Sequence, residues 1–338
     1  GFFEVLRHLR FFAGLLRRFT ERAAAERPAA VVLIDYPGFN LRLAKRLHGL
    51  GIAVVYYVSP QVWAWKRRRR YRIAEWCRRL LCIFPFEPEC YADTGLDVRF
   101  VGHPLLEILA AERDPSLQRD PNLVLLLPGS RSGELMRLLP ELVRTARRLH
   151  ASHPSWRFVM PLARPANEAL ARRMLADMPG AEVPEIHVEV GRTRHWMQVA
   201  AAGIAASGTV TMEAAILGLP LVSVYRLHRL TYLLARLLVR GVSHFTIVNL
   251  VAGEELFEEF LQDQVMADLL LPALERIMPG GSRRERVLNG MATAVATLCG
   301  PANVSATAAA QVLEVAAAER AWRQPATRCR DAGTPAGL

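Results

Sequence analysis

The sequence predicts an α/β protein with two Rossmann-like doubly wound domains, and three observations lead to that fold class. The 338 residues are 51% hydrophobic, which is enough for two domains that each bury a core. Short aliphatic runs alternate with helical patterns, as in parallel sheets with crossover helices. The alternation pauses at a polar, proline-containing stretch and then restarts. We expect a first domain over residues 1–104, a linker over 105–121, a second domain over 122–300, a closing helix over 301–322 and a disordered tail over 323–338.

Composition and charge exclude several classes of protein. The five cysteines are an odd number without CxxC spacing, which argues against a disulfide framework and a structural zinc site and fits a reducing cytoplasm. No apolar run reaches the roughly 18 residues that span a bilayer, so membrane contact should be peripheral. The 43 basic residues exceed the 32 acidic ones by 11, which predicts attraction to nucleic acid, anionic lipid or a phosphorylated substrate.

The first 22 residues have the pattern of an amphipathic helix. Arg7, Arg18 and Arg22 lie on one side of it. The opposite face carries apolar side chains at helical spacing: Phe2, Val5, Leu6, Leu9, Phe12, Leu16 and Phe19. Two interpretations stay open, a helix that packs on the core with a solvated basic back, or a helix that lies on a membrane. Phe11 and Leu15 favour the second, because they fall among the arginines.

Four aliphatic runs predict the strands of the first domain. They are Ala30–Ile34, Ala53–Val58, Leu80–Phe84 and Val98–Val101. In open parallel sheets ligands bind outside the carboxyl ends of the strands, so the residues directly after each run are the first site candidates. Asp35 follows the first run, where a carboxylate can take a proton from an attacking hydroxyl. The alternative is an aspartate that caps a turn or a helix.

An aromatic and basic segment follows the second run. Trp63 and Trp65 lie in the segment Ser59–Trp65, which leads into five consecutive cations, Lys66–Arg70. This combination suits stacking on nucleobases or a lipid headgroup boundary, and the alternative is a solvated charge run beside two partly buried tryptophans. His103, after the fourth run, is either a donor to a substrate or a structural histidine.

The second domain offers two further junctions between strand and helix. Its predicted strands are 123–127, 157–160, 187–190, 203–206 and 219–224. After the first of them, Gly129 and Ser130 allow close backbone approach and Arg131 offers a bidentate donor to phosphate, although the sequence is not a Walker loop. The segment Ser207–Thr209 opens a helix carrying Glu213. A diphosphate fits the positive end of such a helix, and Glu213 is a candidate for binding ribose hydroxyls.

Seven short motifs, in this order, resemble those of the lipid-A-disaccharide synthases, which are sugar-nucleotide glycosyltransferases with two Rossmann domains in the GT-B arrangement. The resemblance runs from Gly1 to about Val315. The motifs are LIDYP with FN at 33–40, YVSPQVWAW at 57–65, FPFE at 84–87, FVGHP at 100–104, LPGSR with Glu134 at 127–134, ASGT with Glu213 at 206–213, and NLVAG at 249–253.

The resemblance implies a reaction and a set of site residues. A 2,3-diacylglucosamine is transferred from UDP onto the 6-hydroxyl of 2,3-diacylglucosamine 1-phosphate with inversion, giving a β-1,6-linked disaccharide and UDP, without a metal or other cofactor. Asp35 is implied as the general base or an essential acceptor-side carboxylate. The residues expected around UDP are Ser130, Arg131, Ser207, Gly208, Thr209, Glu213 and Asn249. Those expected on the acceptor or membrane side are Phe11, Asn40, Ser59, Trp63, Trp65 and His103.

The resemblance also implies partners and a location. The expected partners are the two acylated glucosamine substrates and an anionic membrane surface, with no nucleic acid, and a homodimer stays open. The expected location is the cytoplasmic face of the inner membrane, as a peripheral protein.

The chain departs from the family pattern at three places. Gly38 stands where the family usually has a second aspartate, and Glu254 follows the NLVAG motif where a basic residue is usual. Family members begin with a strand and a glycine-rich GEASGD loop, so we expect the first domain to lack its N-terminal βα unit or units.

Three alternative functions are kept for comparison. Another enzyme of the same fold, either a transferase for peptidoglycan precursors or a sugar-nucleotide epimerase, is disfavoured by the segments around Asp35 and Trp63. A nucleic-acid binder would use Lys66–Arg70, but the chain has no RRM, KH or helix-turn-helix signature. A membrane-associated homologue without catalytic activity is the third alternative.

Overall fold

The computed structural model describes residues 2–178, 184–227, 244–300 and 303–323, together with Tyr232, with side chains described from Arg10 onward. It contains two parallel sheets, one in each half of the chain. The predicted fold class, two Rossmann-like α/β units, is confirmed.

The first sheet has four parallel strands in sequential order: β1 (Ala30–Ile34), β2 (Ala53–Tyr57), β3 (Arg79–Cys82) and β4 (Asp97–Phe100). All four were predicted, with small differences at the ends. The predicted second strand is one residue too long, because Val58 has a φ of 67° and turns out of the sheet. The predicted third strand is two residues too long, because the Ile83 and Phe84 amides donate to the Glu87 carboxylate instead of a strand.

Helices α1 (Phe2–Glu26), α2 (Pro37–Gly49) and α3 (Arg69–Trp76) belong to this half of the chain. Leu16 and Ala23 of α1 are buried in the same core as α2, so one face of this helix packs on the first half of the chain. Phe19 was expected on the buried face but is 48% exposed, and its ring contacts that of Phe39 of α2 edge-on at 6.3 Å. No helix in the described part of the chain is long and apolar enough to cross a membrane.

The second sheet has six parallel strands in the order β10-β9-β8-β5-β6-β7. They are β5 (Asp120–Leu127), β6 (Arg157–Leu162), β7 (Ile186–Val190), β8 (Ala200–Ala206), β9 (Leu221–Tyr225) and β10 (Glu259–Leu261). Five were predicted with shorter or shifted ends, and β10 was missed because three residues carry no periodic signal. The central β8 is buried along its whole length, and a Cβ on Gly203 would lie 2.9 Å from the Leu125 carbonyl oxygen.

Eight described helices accompany this sheet and the approach to it. They are α4 (Leu105–Glu112), α5 (Ser132–Ser152), α6 (Ala166–Ala176), α7 (Thr193–Val199), α8 (Thr209–Ile216), α9 (Ile247–Ala252), α10 (Ala267–Ile277) and α11 (Arg284–Thr297). Their apolar faces and the six strands form the largest hydrophobic core of the protein.

The predicted linker over residues 105–121 is mostly structured. It contains α4 and the start of β5, and Leu109 is 1% exposed in the core of the second half. Leu105, Leu106 and Leu109 lie at helical spacing, so the stretch has the pattern of a short amphipathic helix. The stretch suggested a linker because most of its charged residues follow α4; the two charges within α4, Glu107 and Glu112, bond to Ser305 of the last helix and to Arg194.

The last helix, α12 (Val304–Arg323), returns to the first sheet. Its residues Val304 and Ala308 are buried against Val55 and Leu81 of β2 and β3. The closing helix was predicted, but the sheet on which it packs was not. Residues 324–338 of the predicted disordered tail lie outside the described residues.

Candidate active site

A cavity of about 890 Å³, called the main cavity below, opens at the carboxyl ends of the strands of the second sheet. Its walls come from the segments that follow β5, β7 and β8, and from the end of α4. Parallel sheets commonly bind ligands at this edge, where the loops converge. Six of the residues predicted around UDP line it: Ser130, Arg131, Ser207, Gly208, Thr209 and Glu213.

The turn between β5 and α5 is closed by Glu134. Its carboxylate accepts from the Ser130 and Arg131 amides at 3.2 and 3.3 Å and from the Arg131 guanidinium at 2.6 Å. Gly129 has a φ of 105°, and a Cβ there would lie 2.5 Å from a Glu134 oxygen, so only glycine fits. The side chain of Arg131 is 76% exposed, so its guanidinium is free to turn toward an anion in the cavity. Its hydrogen bond to Glu134 raises the pKa of Arg131, which keeps it cationic.

The turn between β8 and α8 presents backbone to the cavity. Gly208 precedes α8, and no atom lies within 4 Å of where its Cβ would be. Thr209 and Val210, the first residues of α8, also line the cavity, and no side chain caps this helix end. The positive end of the helix therefore faces the space where an anionic ligand group would lie.

Arg194 was missed in the sequence and links two carboxylates of the cavity wall. Its guanidinium donates to Glu213 of α8 at 3.0 Å and to Glu112 of α4 at 2.6 Å. Glu213 raises the pKa of Arg194, so the arginine stays charged. Arg192 and His195, which lie beside Arg194 at the start of α7, also line the cavity. The sequence offered a signal for this segment, because Gly191 comes directly after a predicted strand.

Asn249 is buried and does not line the main cavity. Its amide nitrogen donates to the Phe257 carbonyl and to Glu259, both at 2.8 Å. Its oxygen accepts from the Leu256 and Phe257 amides, both at 2.9 Å. These bonds fasten α9 to the segment that leads into β10, and they use all the ordinary hydrogen-bonding capacity of the side chain. A direct contact between Asn249 and UDP stays a prediction.

The departure at Glu254 lies on the surface. Its carboxylate forms an ion pair with Arg286 at 2.5 Å, and both side chains are largely exposed. The chain therefore has an acidic side chain, already paired, at the place where the resemblance implies a basic one.

Asp35 lies in the turn between β1 and α2, on the first sheet. It is exposed, and it does not line the main cavity. Asn40, in the first turns of α2, donates to the main-chain carbonyls of Ile34 and Asp35 at 2.9 and 2.7 Å. Asn40 therefore shapes the turn that carries Asp35, and no other hydrogen bond of its side chain is described.

Ser59, Trp63 and His103 lie near one another at the carboxyl edge of the first sheet. The rings of Trp63 and Phe86 are 5.7 Å apart, and those of Phe84 and His103 are 5.3 Å apart. Ser59 is buried, and its hydroxyl lies 3.0 Å from that of Tyr91. These contacts join the second, third and fourth motifs into one cluster.

Two buried titratable groups belong to this cluster. Burial lowers the pKa of His103 to about 4, so its ring is neutral at ordinary pH. Its Nδ1 accepts from the Leu105 amide at 3.2 Å, so Nε2 carries the proton. Burial also raises the pKa of Glu87 to about 7, although its hydrogen bonds with the Phe84 and Ile83 amides act in the opposite direction.

Trp65 and Phe11 are exposed, and each has a distinct setting. The ammonium group of Lys66 and the guanidinium of Arg69 lie 4.5 and 5.1 Å from the Trp65 ring centre, within cation–π range. Phe11 is 60% exposed on α1, next to Phe12. Both positions suit contact with a surface outside the protein, and neither lines the main cavity.

Within the described part of the chain, no three His, Cys, Asp or Glu side chains are grouped so that they could hold a metal ion. The expectation that no cofactor is needed stays a prediction.

Comparison with known proteins decides the family. The family profile described as Lipid-A-disaccharide synthetase matches residues 1–308. The Lipid-A-disaccharide synthase of Anaeromyxobacter dehalogenans strain 2CP-1 is 38% identical over 312 residues, which are 89% of this chain and 79% of that protein. The one of Myxococcus xanthus is 37% identical over 322 residues, 93% of this chain and 82% of that protein. This chain belongs to the lipid-A-disaccharide synthase family.

Solved structures add evidence on the fold of this lipid-A-disaccharide synthase relative. A UDP-GlcNAc 2-epimerase from Neisseria meningitidis, bound to UDP-GlcNAc, is 12% identical, covers 90% of this chain and 81% of its own, and has a TM-score of 0.59. A trehalose 6-phosphate synthase from Burkholderia multivorans is 14% identical, covers 94% and 78%, and has a TM-score of 0.51. At these identities the likeness shows the fold alone. Family membership confirms the resemblance inferred from the seven motifs and the enzyme class, a UDP-sugar glycosyltransferase.

Proposed function

We propose that this chain transfers 2,3-diacylglucosamine from its UDP conjugate to the 6-hydroxyl of 2,3-diacylglucosamine 1-phosphate, with inversion, to give the β-1,6-linked lipid A disaccharide 1-phosphate and UDP. The main support for the proposal is the main cavity, found in a chain that belongs to the lipid-A-disaccharide synthase family. This cavity brings together Arg131, Glu213 and the amino end of α8 at one edge of the sheet.

The wall of the main cavity suits a nucleoside diphosphate. The diphosphate lies against the Gly208 backbone and the positive end of α8, with Arg131 turning from Glu134 toward it. Glu213 accepts hydrogen bonds from the ribose hydroxyls. Arg194 fixes the orientation of Glu213 and adds a positive charge near the diphosphate.

The reaction then needs a base that accepts the hydroxyl proton and groups that stabilise the negative charge on the leaving diphosphate. The 6-hydroxyl oxygen of the acceptor forms a bond to C1 of the donor sugar while the bond from C1 to the diphosphate oxygen breaks. The hydroxyl proton passes to the Asp35 carboxylate, and UDP leaves with the bonding electron pair. Charge grows on the diphosphate as the bond breaks, and Arg131 with the helix end stabilises it.

The acyl chains of both substrates require a lipid surface near the site. We propose that an apolar patch, made of Phe11, Phe19, Ile34 and Tyr36, lies against the cytoplasmic face of an anionic membrane. These four side chains are between 48% and 60% exposed, and Phe12 connects Phe11 to Tyr36 through ring contacts. Exposed arginines of α1 and the cations around Trp65 add attraction to anionic headgroups. The homodimer stays a prediction.

Vesicle sedimentation tests the membrane part of the proposal. We expect Phe11→Ser combined with Phe19→Ser to reduce binding to vesicles that contain anionic lipid by about tenfold, because two aromatic anchors are lost. Leu313→Ser is the matched control, since Leu313 is 67% exposed on α12, outside the patch. Equal binding by wild type and the double variant would contradict contact between the patch and the membrane.

Release of UDP tests the reaction itself. The chain is mixed with UDP-2,3-diacylglucosamine in detergent micelles that contain EDTA, with and without 2,3-diacylglucosamine 1-phosphate. We expect UDP release that depends on the acceptor and persists in EDTA, together with the disaccharide product. Release without acceptor indicates an epimerase or hydrolase, and loss of release in EDTA indicates a metal-dependent enzyme.

A further inference from the structure

The turn that carries Asp35 has an unusual backbone. Asp35 and Tyr36 have φ angles of 48° and 42°, so two consecutive residues with a Cβ adopt the left-handed region. Side chains disfavour this region, and two such residues in a row persist only where the surrounding contacts hold them. The contacts that hold this turn therefore set the direction of the Asp35 carboxylate.

Hydrogen bonds fix the peptide groups on both sides of Asp35. Its amide donates to the Tyr57 carbonyl at 2.9 Å, which continues the pairing of β1 with β2. Its carbonyl accepts from the Tyr56 hydroxyl at 2.6 Å and from the Asn40 amide at 2.7 Å. Because both peptide planes are held, φ and ψ of Asp35 are held too, and the direction of its Cα–Cβ bond follows.

Of the two side chains that donate to the Asp35 carbonyl, Tyr56 is the more firmly held. Its side chain is fully buried on β2, in the core of the first half, together with Leu33 of β1 and Ile73 of α3. Asn40 is only partly buried, so it is less firmly held. Burial, and then the nearby Asp35, raise the pKa of Tyr56, so its hydroxyl remains a donor throughout the neutral range.

We propose that Tyr56 is a positioning residue for the transfer reaction. It holds the main-chain carbonyl of Asp35 in the left-handed turn, and thereby aims the carboxylate at the hydroxyl that it deprotonates. Tyr56 acts through Asp35 and makes no contact with either substrate. This inference rests on the proposed function, in which Asp35 is the base.

The test is Tyr56→Phe, which removes one hydroxyl and keeps the buried ring. We expect kcat to fall about tenfold, as for the loss of one well-placed hydrogen bond, while KM for the UDP-sugar and the Kd for UDP stay within about twofold. Tyr57→Phe is the matched control, because it makes the same change at the next residue of β2. The control should keep kcat within about twofold.

A double-mutant cycle separates positioning from general destabilisation. Asp35→Asn keeps the shape of the side chain and removes the base. In that background, Tyr56→Phe should not lower the residual rate further, whereas a general packing defect would lower it again by a similar factor. Asn40→Ser, which removes the other donor to the same carbonyl, should reproduce the fall in kcat.

A backbone measurement keeps the inference testable without turnover. We expect the Asp35 amide to exchange its hydrogen at least about fivefold faster in Tyr56→Phe and to be unchanged in Tyr57→Phe. Unchanged exchange together with unchanged kcat in Tyr56→Phe would overturn the positioning role. Near-normal turnover in Asp35→Asn would instead overturn the proposed function at Asp35, and the positioning role with it.

Discussion

Individual side chains set the charge of the main cavity. The described lining residues include four carboxylates and three guanidiniums, those of Glu112, Asp114, Glu134 and Glu213 and of Arg131, Arg192 and Arg194. Each of these guanidiniums is within ion-pair distance of a carboxylate. A diphosphate therefore has to compete with protein carboxylates for its cations, and the arginines retain their charge without it.

Arg194 should matter for binding of the nucleotide. We expect Arg194→Gln to weaken UDP binding by about 1.5 kcal/mol, roughly tenfold, because Glu213 loses the donor that orients it and the cavity loses a positive charge. Titration calorimetry measures this. Arg172→Gln is the control, since Arg172 pairs with Glu168 on the surface of α6. Equal affinity in wild type and Arg194→Gln would show that the ion pair has no part in binding.

Glu87 and His103 should make opposite contributions to stability between about pH 4 and 7. The folded pKa of Glu87, about 7, lies above its ordinary value of 4.5, so folding takes up a proton between these pH values and the stabilising contribution is lost as the pH rises through 7. The folded pKa of His103, about 4, lies below 6.5, so its contribution is lost as the pH falls below 6.5. In the wild-type protein the two effects largely offset one another.

Glu87→Gln tests whether these two effects offset one another. The amide keeps an oxygen acceptor for the Ile83 and Phe84 amides but does not titrate. Between pH 7 and pH 5 we expect the variant to lose about 2 kcal/mol more unfolding free energy than wild type. Urea denaturation at several pH values measures the difference. Parallel pH profiles for the two proteins would contradict the raised pKa of Glu87.

Among the elements, α12 joins the end of the chain to the first sheet and to α4. Its apolar face covers β2 and β3, and its amino end is bonded by Glu107 of α4, with the Ser305 hydroxyl donating at 2.9 Å. At the other end of β3, the 9% exposed side chain of Arg79 donates to Asp97 and Glu314, both at 2.7 Å. One arginine thus connects two strands with the last helix.

Arg79→Met should destabilise the protein by about 1 to 2 kcal/mol. The expected loss is small because Asp97 and Glu314 are 34% and 62% exposed, so water replaces part of the lost interaction. Arg78→Met is the matched control. Its side chain is 68% exposed, and its pair with Glu319 is 3.6 Å long, so a change below about 0.5 kcal/mol is expected. Chemical denaturation compares them, and equal losses would contradict the role of Arg79.

Elements with a strong local pattern could be predicted from the sequence, and elements defined by distant packing could not. The aliphatic runs of β2 and β5 identified their strands, because burial on both faces of a parallel sheet needs such runs. The three residues of β10 carry no pattern, and α4 was missed because the stretch that follows it is charged and contains prolines. The docking of α12 on the first sheet depends on residues more than 200 positions away, which periodicity does not report.

The candidate site shows the same division. Recognised motifs supplied the residues around Gly208 and Arg131, and the structure brings them together. The NLVAG motif also suggested that Asn249 contacts UDP. Only the structure shows that the hydrogen bonds of its side chain are used within the loop. Arg194 belongs to no recognised motif, and its importance follows from two carboxylates that lie 82 and 19 positions away in the sequence.

In the proposed function the two sheets have separate tasks. The main cavity on the second sheet would bind the nucleotide, and the turn after β1 on the first sheet would supply the base. Within the described residues, each half then provides only part of the groups that the proposed reaction needs. A change at Asp35 should therefore affect turnover and leave nucleotide binding unaffected.

Asp35→Ala tests this division most directly, when acceptor-dependent UDP release and the Kd for UDP are measured on the same preparation. We expect turnover to fall by at least about a hundredfold, because the transfer loses its base, while the Kd for UDP stays within about twofold of wild type. Near-normal turnover in the variant would contradict the role of Asp35, and a large loss of UDP affinity would contradict the separation of the two sites.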